Sequence, residues 1–204
     1  MTTLWPPAME PRAETLAASR PAALDGQSGS GVDATLCIAL VVERFQPARG
    51  GLEHWAWQFA CWLRDGGHSV HIITFAVDGA VERSGFRVHR LSSPATPLAR
   101  ADAVARFLTG TRFDIVHDTG LGWCADVFQP HGGSRFADFE QSQRARSPAA
   151  RLGFLLRPST HRRMAEYREL ARRRLGRPAL VLALSARVRD DLRRHDRLPE
   201  QQIR

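Results

Sequence analysis

The chain has 204 residues, 43% of them hydrophobic and 25% charged, which is the balance of a globular protein with enough length for one good core. Its formal charge is +8, and every one of the 29 Lys+Arg positions is arginine. No apolar run approaches the roughly 20 residues that span a bilayer, and the acidic, proline-containing N-terminus lacks the apolar segment of a signal peptide, so a cytoplasmic protein is expected.

Residues 1–33 are rich in Pro, Ala, Ser and Gly and lack periodicity, so they read as a disordered leader before a domain over 34–204. "CIALVV" (Cys37–Val42) is a continuous apolar run, as expected for a strand covered on both faces. A helix follows from Gly51, with Leu52, Trp55, Ala56, Phe59, Ala60 and Leu63 forming one apolar stripe. Gly66-Gly67 ends it through the left-handed conformation that glycine adopts freely. "SVHIITF" (Ser69–Phe75) and "FRVHRL" (Phe86–Leu91) read as strands. "PLARADAVARFLTG" reads as a second helix ending at Gly110. "FDIVHDTG" (Phe113–Gly120) and "ADVFQPHGG" (Ala125–Gly133) read as strands four and five. One long arginine-rich helical stretch follows, then strand six in "ALVLALS" (Ala179–Ser185) and a helix capped by Ser185. Strands alternating with helices predict an α/β fold: a Rossmann-like, doubly wound, mainly parallel sheet.

Such sheets bind ligands at the carboxyl ends of their strands. Arg49-Gly50-Gly51, Asp118-Thr119-Gly120, His131-Gly132-Gly133 and Ser185 all fall there. Gly50-Gly51 at a helix start suits a diphosphate, because ligand can reach the backbone and the free N–H groups and dipole favour an anion. An ordinary βα turn has the same appearance. His131 beside two glycines suits a sugar hydroxyl or phosphate, or a structural bond to backbone. Asp118 suits a hydroxyl, or a turn. Glu53 in the first turn reads as a charge favourable at a helix N-terminus.

GxGxxG after the first strand and GxxxxGK[ST] are both missing, so neither a dinucleotide fingerprint nor a P-loop is supported. "GLGW" (Gly120–Trp123) is too short to count. Cys37, Cys61 and Cys124 have neither disulfide nor zinc spacing, and no metal site is expected. Between Arg144 and Arg177 there are eleven arginines against Glu166 and Glu169, a segment suited to phosphates, an anionic membrane or nucleic acid. With only Phe154 and Tyr167 as aromatics there, base stacking is poorly served and nucleic acid is not expected.

"RFQPARGGLEHWAWQFACWLRDGGHSVHIIT", "FDIVHDTG", "DVFQPHGGSR" and "LVLALSARVRDDLRRH" together resemble the N-terminal domain of GT-B glycosyltransferases of the family 4 type. The similarity is greatest to bacterial enzymes that build lipopolysaccharide cores and other surface glycans, over Leu36–Arg204. The resemblance implies one half of a GT-B fold. It implies retaining transfer from a nucleotide-sugar to a glycan or lipid-linked acceptor, without metal or other cofactor. It places Gly50 and Gly51 over the donor diphosphate, His131 against the transferred sugar as the catalytic residue, and Ser185 at the border of the cleft; Asp118 and Gly132, at the same strand ends, are expected to bind substrate beside them.

Family members carry a second, donor-binding domain, and the chain ends at "RLPEQQIR". A truncated, fragmentary or split enzyme with a separate C-terminal partner chain is therefore expected, inactive alone and peripheral to the inner membrane face. Competing readings are a sugar-nucleotide epimerase on the same architecture, lacking a persuasive acid–base pair here, and a basic membrane- or nucleic-acid-binding module.

Overall fold

Strand β1 (Cys37–Val41) lies inside the main sheet, and its alternate residues feed two different cores. Ile38 and Leu40 face one side with Ala56, Ala60 and Leu63 of helix α1 (Gly51–Asp65). Ala39 and Val41 face the other with Val104 and Leu108 of helix α3 (Pro97–Thr109). Such two-sided burial is why this segment reads as unbroken apolar sequence rather than alternating. The computed structural model describes residues 35–82, 85–176 and 179–204, so the leader expected over 1–33 lies outside the described residues.

Two-residue strand β2 (Arg44–Phe45) follows β1. Strand β3 (Ser69–Thr74) follows α1, and β4 (Ala76–Val77) pairs in parallel with β2 in a small second sheet that sequence reading missed. A short helix α2 (Gly79–Glu82) precedes β5 (Arg87–Arg90). Strands β6 (Ile115–Asp118), β7 (Val127–Phe128) and β8 (Leu180–Val181) complete the main sheet. All its pairs are parallel, in the order β5-β3-β1-β6-β7-β8. This is the expected Rossmann-like doubly wound α/β sheet. The chain winds outward from β1 one way, then restarts at β6 and winds the other way. The crevice between the carboxyl ends of β1 and β6 is therefore the switch point where ligands bind in such sheets. Ile203 pairs in parallel with Val181 on the outer side of β8.

The elements differ from expectation in their lengths. Strands five and six shrink to the two-residue β7 and β8, because Pro130 and the glycine turn end one and Ser185 opens the next helix soon after the other. The arginine-rich stretch is three helices: α4 (Arg135–Arg144), α5 (Pro148–Leu155) and α6 (Pro158–Leu175). Pro148 and Pro158 each occupy a first helical position, where the missing N–H costs nothing. Ser134 and Ser147 cap α4 and α5 by accepting from backbone N–H groups, as Ser185 caps α7 (Ala186–His195). At the end of α1, the left-handed position is Gly67 (φ 86°) and not Gly66.

On the α3 side of the sheet, His71 and His89 join neighbouring strands with ring nitrogens 2.9 Å apart. Phe113 and Phe107 pack against them. Burial holds both imidazoles below the usual histidine range, and Arg87 adds repulsion of a second positive charge. A depressed histidine folds as the neutral form. The unfolded chain thus binds more protons once pH drops below about 6.5, and stability contributed at neutral pH is lost on acidification. Urea unfolding midpoints should fall between about pH 7.5 and about pH 5.5. The fall should be smaller in the His71→Leu/His89→Leu double variant. Parallel pH slopes in parent and variant would show that the pair carries none of it.

Candidate functional site

The loop after β6 is built around one carboxylate. Asp118 ends the strand at 1% exposure. Its Oδ1 accepts from the N–H groups of Gly120 (2.7 Å) and Leu121 (2.6 Å), and its Oδ2 from Gly122 (2.7 Å). Two glycines make this possible. Gly120 has φ 118° and would bring a Cβ to 3.2 Å from Pro130 Cα. A Cβ at Gly122 would meet Asp118 Oδ2 at 2.6 Å. The "GLGW" stretch set aside in the sequence is therefore a turn with a definite steric demand. Asp118 takes the turn-forming role of its two readings, and both oxygens are committed to backbone.

Arg174 of α6 closes the loop from outside. Its Nε donates to the Gly122 carbonyl at 2.8 Å, and its guanidinium lies 4.3 Å from the centre of the Phe128 ring. Burial pushes the Asp118 carboxyl up, while Arg174 and the three N–H donors pull it back. The long separation in sequence between Asp118 and Arg174 hid this pairing.

The other expected residues gather around the same loop. The His131 N–H donates to the Thr119 carbonyl at 3.3 Å. Its half-buried ring packs 4.3 Å from Trp55 in α1, and Nε2 is buried without a hydrogen-bond partner among the described residues. Burial, then nearby His117, hold His131 below the usual range, so its imidazole is neutral at pH 7. Buried His117 donates from Nε2 to Gln129 Oε1 at 2.9 Å. Gly133 takes φ 65° and lies against Val188 of α7, so the histidine-glycine turn reaches toward the Ser185 cap. The exposed Ser185 Oγ accepts from the Val188 N–H and keeps its own hydrogen free to donate. Gly132 is exposed, with Arg135 beside it.

Gly50 and Gly51 differ from the loop glycines. Gly50 is fully extended at the N-terminus of α1 (φ −172°, ψ −179°), a conformation open to any residue. A Cβ at Gly51 would meet nothing within 4 Å, and one at Gly50 only the Glu53 carboxylate at 3.0 Å. The chain's own packing does not demand these two glycines. Glu53 bends back over the helix start, where the dipole favours an anion.

A cleft lies at the switch point, lined by Glu43, Arg100, Gly120, Arg135, Arg174 and Asp196 among others. It adjoins a second cleft between α4, α5 and α6 through shared Arg135 and Tyr167. Asp196, which sequence reading missed, is 6% exposed, with Oδ2 unpartnered among the described residues. The arginine segment is less uniform than its composition. Arg173 pairs with Asp102 and Glu169, Arg172 with Glu169, and Arg174 turns inward. Glu169 is held down to about 2 by Arg172 and Arg173. Arg151, Arg157 and Arg163 stay exposed. Among the described residues, no helix is long and apolar enough to cross a membrane.

Asp118→Ala should orphan three N–H groups, one buried and two partly buried, and cost about 3 kcal/mol in denaturant unfolding. Asp118→Asn retains acceptor capacity on one side only and should fall between. Wild-type stability in Asp118→Ala would remove this carboxylate from the structural account.

Residues 49–204 match the model of Glycosyltransferase Family 4. Among solved structures, the chain is similar to WaaG, a glycosyltransferase involved in lipopolysaccharide biosynthesis, with TM-score 0.62 and 16% identity. That likeness covers 82% of this chain and 44% of the other. A glycosyltransferase from Rickettsia africae ESF-5 aligns with TM-score 0.44 and 18% identity, over 83% of this chain and 42% of that one. No curated protein matches. The chain thus spans less than half the length of these solved structures, and at such identities the likeness to WaaG is one of fold. The family model covers most of the chain, including the glycine pair, the histidine turn and the serine cap, and the chain belongs to glycosyltransferase family 4.

Proposed function

We propose that the chain is the acceptor-side domain of a retaining glycosyltransferase, moving a sugar from a nucleotide-sugar to a glycan or lipid-linked acceptor. The observation that carries this reading is the bare start of α1. Two glycines that the fold does not require leave the first N–H groups of the helix open to a ligand. A diphosphate placed there accepts from backbone donors and meets the positive end of the dipole. Glu53 must then swing away, since its carboxylate lies over the same backbone. Charge developing on the leaving diphosphate is stabilised by donors already in place, without reorganisation.

His131 is the side chain for the transferred sugar. It is neutral, partly exposed, braced by Trp55 and set one turn from the β6 loop. A neutral imidazole offers one donor and one acceptor, which suits a sugar hydroxyl. Ser185 contributes a hydroxyl at the far rim. Because WaaG is more than twice as long as the part matched here, full transfer is assigned to this domain acting with a donor-side domain, and the 204-residue chain alone should show little turnover.

The test is a chain joined to a family 4 donor-side domain. Gly51→Val should abolish nucleotide-sugar binding while thermal stability holds, since the new side chain meets open space in the fold. His131→Ala should lower kcat more than it raises KM, because the sugar contact matters most as the bond breaks. Normal donor binding and transfer in Gly51→Val would leave the glycine pair as a plain turn.

The reading extends to a membrane-linked acceptor. Helix α5 buries no residue, and Leu152 and Leu156 are 61% and 70% exposed beside Arg151 and Arg157. Near an anionic surface each such arginine contributes about 1 kcal/mol. The chain should float with vesicles containing phosphatidylglycerol, less so at high salt or as Leu152→Ser/Leu156→Ser. Equal weak binding to neutral vesicles would refute membrane attachment through this face.

A further inference from the structure

Two residues that line the switch-point cleft each carry a buried polar atom without a partner among the described residues, and the two atoms are of opposite kind. One is the acceptor Oδ2 of Asp196 and the other the donor Nε of Arg100. Leaving such atoms unpaired costs stability, so their meeting beside one cleft calls for a ligand that both donates and accepts. Hydroxyl groups do both. Asp196 is held for that task. Burial pushes its carboxyl up, and the Ser134 hydroxyl bonded to it and the nearby Arg174 guanidinium pull it back. Arg100 is likewise fixed, because its outer nitrogen pairs with Glu43 at 2.7 Å. The orphan Nε is thus the part of the guanidinium left over.

The third feature is Arg135. It is half exposed, its nearest carboxylate is Asp138 at 4.0 Å, and it lines both this cleft and the neighbouring one. At that distance and exposure the ion pair is weak, and the guanidinium is available for a bidentate anion. Its charge is not needed by Arg174, which it repels.

We infer that this cleft takes the acceptor as an anionic polyol, with one hydroxyl donating to Asp196, another accepting from Arg100, and a phosphate-like group on Arg135. The inference rests on the transfer reading above and names the chemistry of its acceptor. It makes Asp196 and Arg135 specificity residues that sequence reading did not single out. It also separates two tasks along one crevice: the α1 end takes the leaving group, and the α4–α7 end takes the acceptor.

The probes are glucose 6-phosphate, glucose and inorganic phosphate, each titrated into the 204-residue chain and followed by amide chemical shifts. Glucose 6-phosphate should bind about tenfold or more tighter than either component. Arg135→Gln should reduce it to the level of glucose and leave glucose unchanged. Asp196→Asn turns the unpartnered acceptor into a donor while its carbonyl keeps the Ser134 bond. It should weaken both sugars about tenfold, and the melting temperature should hold or rise because a buried, partly unpaired charge is removed. Arg64→Gln, on the exposed face of α1, is the control and should change nothing. Glucose 6-phosphate binding no tighter than phosphate, or binding indifferent to Arg135→Gln and Asp196→Asn, overturns the inference. UDP-glucose titrated into the chain joined to a family 4 donor-side domain, as wild type and as Gly51→Val, reports on the donor end. A donor signal that Gly51→Val removes, without sugar-phosphate binding, defeats the acceptor inference alone, whereas a donor signal indifferent to Gly51→Val defeats the transfer reading.

Discussion

A single buried carboxylate sets the shape of the crevice. Asp118 stands where the sheet changes direction, and it gathers three backbone N–H groups that would otherwise point into the crevice unmet. A charge buried this deeply is tolerable only when fully solvated by fixed dipoles or paired. Here the dipoles are the loop and the distant pair is Arg174. The consequences spread outward. The tight loop brings Gly120 against Pro130, which fixes the start of the histidine-glycine turn. Arg174 ties helix α6 to the loop carbonyls, which places the arginine-rich helices beside the sheet's carboxyl edge. The position of His131 and the wall of the switch-point cleft both follow from this one arrangement.

Stability and recognition divide the site between them. Residues that build it have satisfied polar atoms: Asp118, Thr119 bonded to the Val41 carbonyl, and His117 bonded to Gln129. Residues proposed to meet ligand retain unmet capacity: His131, Asp196 and Arg100. Unmet buried groups lower stability and persist in native proteins for an identifiable reason. Binding can supply their missing partners.

Much of this architecture was legible in the sequence. The apolar run of β1, the stripe of α1 and the alternation of strands with helices point directly to a doubly wound sheet, because local periodicity encodes burial. The positions of Gly50, Gly51, His131 and Ser185 at strand ends follow from the same reading. What was not legible depends on pairs far apart in the chain. Asp118 and Arg174, Asp196 and Ser134, and Arg100 and Glu43 are joined only by the tertiary fold. Two-residue strands such as β2 and β4 are equally silent, since so short a segment shows no period. The split of one basic stretch into α4, α5 and α6 was signalled by Pro148 and Pro158, and dense arginine obscured it.

The restriction of the 204 residues to arginine as their strong base has a chemical corollary. Guanidinium stays protonated across the whole physiological range, whereas an ammonium group can be neutralised by burial or capped by acetylation. The positive face over α5 and α6 therefore has no pH at which it fades and no amine for an acyl group to silence. Whatever modulates its contacts must come from the anionic side, through the density of phosphate or carboxylate on the partner or through screening salt. The face is a constant, and its surroundings are the variable.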